Sequence, residues 1–112
     1  MDKKVLTHLE ELLYSYKRIT VEIKSLEIDL KFYSDDDEKV KEIRETLDKK
    51  KYLLDKMENS LNILDEIDST IIRMKYFEHV GNKDLSARLN RTPQNVCKRC
   101  NLALDKISSF IL

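Results

Sequence analysis

The two cysteines are the residues closest to forming a chemical site. Cys97 and Cys100 lie in the segment CKRC, and the C-x-x-C spacing could supply half of a zinc site or a redox pair. No further cysteine could complete a zinc site, and His8 and His79 lie far away in the sequence. Because Cys100 falls on an apolar line of its segment, we expect core packing for both cysteines, and neither a metal nor another cofactor.

Other patterns of catalytic residues are also missing from the sequence. No serine, threonine or cysteine stands in a recognisable pairing with a base, and a single glycine cannot build a glycine-rich phosphate loop. The acidic run at 35–38 lacks the spaced ligands and the glycine of a calcium loop. We therefore expect that the protein is not an enzyme.

The most informative stretch is the polar segment NKDLSARLNRTPQNVCKR, residues 82–99. Asn90 is the best residue after glycine for a left-handed turn. Thr92 can cap a following helix, and Pro93 suits the first helical position because its missing N–H costs nothing there. Two short helices around such a turn make a helix-turn-helix, and the pattern predicts a recognition helix over residues 93–107.

The polar side chains of this turn and helix suggest a DNA-binding surface. Amides and guanidinium groups can pair with base edges in the major groove, whereas lysine and a helix N-terminus suit phosphate. An ordinary solvated face is the alternative interpretation. The candidate DNA-binding residues are Arg88, Arg91, Thr92, Gln94, Asn95, Lys98 and Arg99.

Charge is divided unevenly along a chain whose net charge is zero. Residues 1–66 hold 13 Lys+Arg against 17 Asp+Glu, a balance of −4, and residues 67–112 hold 8 against 4, a balance of +4. This asymmetry favours an acidic arm joined to a basic module that could bind a polyanion.

The first sixty residues have the apolar spacing of paired helices. From Val5 to Tyr33 the apolar residues recur in alternating steps of four and three, and a second such series runs from Val40 to Leu64 with Lys50 as its one polar position. The acidic turn SDDD at 34–37 separates them. We predict an all-α protein in which residues 1–65 form a long antiparallel helical hairpin, coiled-coil-like, and residues 66–112 form the helix-turn-helix module.

Residues 67–77 predict a further helix of about three turns. Asp65 is the best candidate for its N-cap, although a helix continuous with the arm remains open. Gly81 should end this helix and Asn82 should cap the next one.

Five apolar residues lie outside the first of these two apolar series and need another protein surface to bury them: Leu6, Leu13, Val21, Ile28 and Phe32. Either the C-terminal module or a second copy could supply it. We expect a homodimer through the N-terminal helices; folding back within one chain is the alternative.

The segment YFEHVGNKDLSARLNRTPQNVCKRCNLALDKI resembles region 4 of bacterial sigma-70-type factors. In that family an aromatic pair precedes a helix-turn-helix, and an Ala-Leu-x-Lys-Leu pattern closes the recognition helix; here the pattern is ALDKI at 103–107. The resemblance covers roughly residues 67–108, with Asn90 where glycine is common. The arm does not resemble the part of a sigma factor that melts promoter DNA.

A domain of this kind behind a helical arm is similar to small phage transcriptional regulators of the ArpU and RinA type. The resemblance implies a sequence-specific regulator, phage or prophage encoded, with double-stranded DNA as partner and RNA polymerase as a second potential partner. Two alternatives remain: an adaptor that binds RNA polymerase or another helical protein, and a small terminase-like packaging component.

The N-terminus has the features of neither a signal peptide nor a transit peptide, and no apolar run is long enough to span a bilayer. Cysteines without a secretory signal favour a reducing compartment. We expect a cytoplasmic protein that does not bind a membrane.

Overall fold

The computed structural model describes all 112 residues, and they form helices without any strand, which confirms the all-α prediction. A 3-10 turn at Leu61–Ile63 and a π-helical turn at Arg73–Phe77 join two of the helices to their neighbours. None of the helices combines the length and the apolar character that a bilayer crossing requires. The six α-helices are α1 (Lys3–Tyr14), α2 (Tyr16–Phe32), α3 (Asp37–Ser60), α4 (Glu66–Ile72), α5 (Asn82–Leu89) and α6 (Pro93–Ile111).

The first predicted helix is interrupted at Ser15. The Ser15 hydroxyl donates a hydrogen bond to the Leu12 carbonyl at 2.6 Å, and its backbone N–H is shared between the carbonyls of Glu11 and Leu12 at 3.1 Å each. A serine that bonds back to its own helix in this way competes with the regular ladder and bends the helix. The expectation of one uninterrupted helix over 5–33 was therefore wrong in this detail.

Helices α2 and α3 lie side by side in opposite directions. The Tyr16 hydroxyl donates to Glu58 at 2.5 Å at one end of the pair, and Lys50 donates to Glu22 at 2.8 Å nearer the middle. Lys50, the one polar position in the second apolar series, thus pairs with a carboxylate of the facing helix. The Asp36 side chain caps α3 by accepting from the Lys39 N–H at 3.0 Å. The fully apolar contacts between the helices include Ile19, Ile23, Ile43 and Leu47, all of them buried.

Helix α1 packs against the C-terminal third of the chain. Leu9 and Leu13 of α1 are completely buried, in one apolar cluster with Tyr76 and Leu104. The cluster therefore runs across residue 65, where the sequence places the boundary between arm and module. Folding within the chain buries Leu13 and partly buries Leu6, whereas Val21, Ile28 and Phe32 remain 63%, 58% and 79% exposed.

The chain turns sharply between α3 and α4. Leu64 has an extended backbone, and the Asp65 side chain accepts a hydrogen bond from the Asp68 N–H at 2.8 Å. Asp65 is therefore the N-cap of α4, and the alternative of one helix running through residues 64–66 is wrong.

The predicted helix over 67–77 changes its geometry half-way. Beyond Ile72 the chain widens into a π-helical turn, in which the Glu78 N–H bonds to the Arg73 carbonyl at 2.9 Å. The wider turn directs both Tyr76 and Phe77 into the core. Phe77 stacks on Tyr16 with ring centroids 3.9 Å apart, so the π-helical turn packs against the start of α2.

Candidate nucleic-acid interface

A left-handed residue separates α5 from α6. Asn90 has φ 53° and ψ 46°, and the Arg91 N–H bonds back to the Ser86 carbonyl at 3.1 Å. This arrangement ends a helix and reverses the chain, with asparagine in the place that glycine commonly takes. Gly81 is the N-cap of α5, and Asn82 is its first residue with no side-chain capping bond, so the expected cap at Asn82 was wrong.

The N-terminus of α6 is fixed by its own sequence. The Thr92 hydroxyl accepts a hydrogen bond from the Asn95 N–H at 3.1 Å, and Pro93 occupies the first helical position. Leu85 of α5 and Val96 of α6 are buried. The remaining buried face of α6 consists of Cys100, Ala103, Leu104, Ile107 and Ile111.

Most of the candidate DNA-binding side chains lie on the surface. Arg88, Thr92, Gln94 and Lys98 are exposed, and Arg91 and Asn95 are half-buried. Arg91 donates from Nη1 to Asn95 Oδ1 at 2.9 Å, which holds the two side chains together at the start of α6. The structure therefore leaves six of the seven candidates at least partly exposed, in the last turn of α5, the connecting turn and the first two turns of α6.

Arg99 is the exception among the seven. Its Nε donates to Asp68 Oδ1 at 2.8 Å and its Nη2 donates to Asp65 Oδ2 at 3.1 Å. The Asp68 side chain is only 10% exposed, so this ion pair is largely shielded from water. The expectation that Arg99 projects away from the protein was wrong, because two carboxylates at the start of α4 hold it against the protein body.

The neighbours of the Asp65 carboxyl, the Asp68 N–H and Arg99 among them, lower its pKa. The backbone N–H of Asp68 lowers the pKa of the Asp65 carboxyl most, and the positive charges of Arg99 and Lys106 lower it further. Asp65 therefore stays ionised at neutral pH while it caps α4 and pairs with Arg99.

The cations that remain free set the electrostatics of the exposed region. Arg88, Arg91 and Lys98 form no ion pair within the chain. Uncompensated cations on a solvated surface attract a polyanion and are weakened by salt.

The two cysteines have different environments. Cys100 is buried, where its sulfur lies 3.7 Å from the Tyr76 hydroxyl, and burial raises the pKa of its thiol. Cys97 is exposed on the surface of α6, so the expectation of core packing holds for Cys100 and was wrong for Cys97.

Sequence reasoning missed Asp68, the buried partner of Arg99. A signal was present, since Asp68 lies four residues before Ile72 on the flank of α4 that turns inward. A carboxylate on an apolar flank needs a cation or several hydrogen-bond donors. The position of that cation, 31 residues further along the chain, carried no local signal.

No protein-family model, curated protein or solved structure matches this chain.

Proposed function

We propose that the protein is a sequence-specific double-stranded DNA-binding transcriptional regulator, phage or prophage encoded, in which the N-terminal half of α6 enters the major groove. One observation carries this proposal. A helix with a firmly capped N-terminus presents polar side chains and unpaired cations to solvent, next to a left-handed turn that sets it at an angle to α5. The resemblance of this region to sigma region 4 supports the same function.

The exposed residues divide into two roles. Gln94 and Asn95 carry the amides suited to base edges, with Arg91 positioning the Asn95 side chain through its hydrogen bond. Arg88 and Lys98 are suited to phosphates on either side of the groove, and the N-terminus of α6 adds the positive end of a helix dipole. Arg99 has no place in this set because its guanidinium group holds α6 onto α4.

The acidic arm keeps DNA contact to the C-terminal third. The balance of −4 over residues 1–66 repels phosphate, while the balance of +4 over residues 67–112 attracts it. Self-association through the N-terminal helices would place two such modules in one assembly, as recognition of paired half-sites requires.

A second candidate function is an adaptor for a helical protein such as RNA polymerase. The apolar residues left exposed on α2 favour it, since a protein partner could cover them. In that case the protein would pull down polymerase without binding duplex DNA by itself.

The salt dependence of duplex binding tests the DNA-binding proposal. With two cations per chain assigned to phosphate, or four per dimer, log K should fall with log salt with a slope of roughly −2 for one chain and −4 for a dimer. Lys98→Ala should make the slope less steep by about one unit per bound chain and weaken all duplexes alike. Lys41→Ala removes an exposed cation of α3 and should change neither the affinity for duplex DNA nor the salt slope. Binding that does not depend on salt concentration, or an equal loss of affinity in Lys98→Ala and Lys41→Ala, would contradict the proposal.

A further inference from the structure

Helix α2 carries a second apolar stripe on the side that faces away from α3. Val21, Ile28 and Phe32 lie roughly opposite Ile19 and Ile23 around a helix of about 3.6 residues per turn. The first three are more than half exposed, and the other two are buried against the rest of the protein. The outer side of α2 therefore presents apolar side chains that this chain does not itself cover.

The charges beside the stripe repeat with the same period. Lys17, Lys24 and Lys31 recur every seven residues along one flank, are exposed and form no ion pair within the chain. On the other flank lie Glu22 and Asp29, also seven apart and half-buried. Glu22 already pairs with Lys50 and Arg18 of its own chain, whereas Asp29 forms no ion pair. If Val21 and Ile28 occupy the d positions of a heptad, then the lysines fall at g, the two acids at e, and Phe32 at a. The two earlier a positions are Ser25 and Arg18, whose charge is balanced by Glu22.

We propose that the outer side of α2 is the interface to a second copy of this chain, with the two α2 helices parallel and in register. In a parallel pair each g residue faces the following e residue of the partner helix. Lys24 then meets the partner's Asp29, which is otherwise unpaired. Lys17 meets the partner's Glu22, which also keeps its pair with Lys50. Both pairs form twice because of the two-fold symmetry.

The same charges exclude the opposite orientation. In an antiparallel pair g residues face g residues, so lysines would lie against lysines and the acids against each other. Like charges in contact destabilise an interface and serve to reject the wrong partner. The unpaired lysines and Asp29 therefore favour a parallel pair over an antiparallel one, although the apolar stripe alone would allow both.

A parallel pair determines where the two C-terminal modules lie. The symmetry axis runs along the α2 helices, so both copies of α6 lie at the same end of the assembly. An antiparallel pair would put them at opposite ends of a molecule that is already 55 Å long. This consequence rests on the proposed function, since two modules at one end can read adjacent half-sites of one duplex; the interface itself does not.

Sedimentation equilibrium of the full chain, without DNA, tests the interface by charge exchange. Lys24→Glu and Asp29→Lys should each weaken the dimer about tenfold, since two symmetric exposed pairs change from attraction to repulsion. The double variant Lys24→Glu/Asp29→Lys should restore the dissociation constant to within about threefold of wild type. Lys41→Glu, an exposed charge reversal on α3, should leave it unchanged.

A second pair of variants separates loss of the interface from loss of the fold. Ile28→Glu should give a monomer that keeps the far-ultraviolet circular dichroism of the wild type, because Ile28 is exposed. Phe32→Cys, in a Cys97→Ser background, should cross-link to itself on oxidation because a parallel pair brings the two copies of residue 32 together.

A wild-type chain that stays monomeric at every concentration, or a double variant without rescue, would overturn the proposed interface. The two proposals fail separately. A monomer that still binds duplex DNA in a salt-dependent way leaves the proposed function standing. A parallel dimer that binds no DNA leaves the interface standing.

Discussion

Replacing Arg99 by alanine should destabilise the fold, whereas replacing its neighbour Lys98 should leave the stability unchanged. Arg99 donates two charge-assisted hydrogen bonds to Asp68 and Asp65. Its loss leaves the Asp68 carboxylate, 10% exposed, without a cation. A hydrogen bond to a charged group contributes about 1.5–3 kcal/mol, and the more exposed bond to Asp65 contributes little. We expect Arg99→Ala to lower the free energy of unfolding by about 2 kcal/mol.

Urea unfolding followed by far-ultraviolet circular dichroism measures this effect. A loss of 2 kcal/mol corresponds to a melting temperature lower by roughly 8 °C for a domain of this size. Lys98→Ala is the matched control: its side chain is exposed, so its stability should stay within about 0.5 kcal/mol of wild type. In a double-mutant cycle Arg99→Ala and Asp68→Ala should be strongly non-additive. An Arg99→Ala protein of wild-type stability that has lost only DNA binding would show that Arg99 belongs to the recognition surface.

Three further predictions concern the turn, the arm and the core. Asn90→Gly should leave the free energy of unfolding in urea unchanged or slightly higher, whereas Asn90→Ala should lower it by about 1 kcal/mol, because the backbone of residue 90 is left-handed. Equal effects of the two substitutions would contradict that geometry. The hydrogen bonds from Arg73 lower the pKa of Glu58, so the stability from this ionised carboxyl is complete above the unfolded-state pKa of about 4.3 and is lost as pH falls through the lower folded-state value. Glu58→Gln should therefore be less stable than wild type at pH 7 and should lose less stability on acidification in thermal melts; parallel pH curves would refute this. Leu13→Ala should lower the free energy of unfolding by about 2–5 kcal/mol because the side chain is fully buried. Leu102→Ala is the control: its side chain is half exposed on α6, so the free energy of unfolding should stay within about 0.5 kcal/mol of wild type. Similar losses for the two variants in chemical unfolding would contradict the packing of α1.

Local signals in the sequence were sufficient for much of the C-terminal structure. The left-handed turn at Asn90 and the cap at Thr92 depend on residues within three positions of each other, and such short-range chemistry can be read from one sequence. The cap at Asp65 was predicted for the same reason. The apolar period of the arm likewise includes Ile19, Ile23, Ile43 and Leu47, which are buried, although it missed the fully buried Leu13. Its polar exception, Lys50, pairs with Glu22 of α2.

Contacts between distant parts of the chain were beyond the reach of the sequence. The break at Ser15 is local, but it depends on a hydroxyl returning to its own helix, which many serines within helices do not do. The π-helical turn ends at Phe77, whose stacking partner Tyr16 lies about sixty residues earlier in the chain. Arg99 looked free because its charge and spacing suit DNA, and only the position of Asp68 on another helix shows that it is engaged.

Selection of bound duplexes from a randomised library, followed by sequencing, tests the central claim most directly. The wild-type protein should enrich one defined motif, and Gln94→Ala should relax the preference at one position at a cost of about 1–3 kcal/mol. Arg88→Ala should weaken binding and leave the motif unchanged, since it is assigned to phosphate. Recovery of no motif by the wild-type protein, or the same motif with undiminished preference from Gln94→Ala, would contradict the assignment of α6 as a recognition helix.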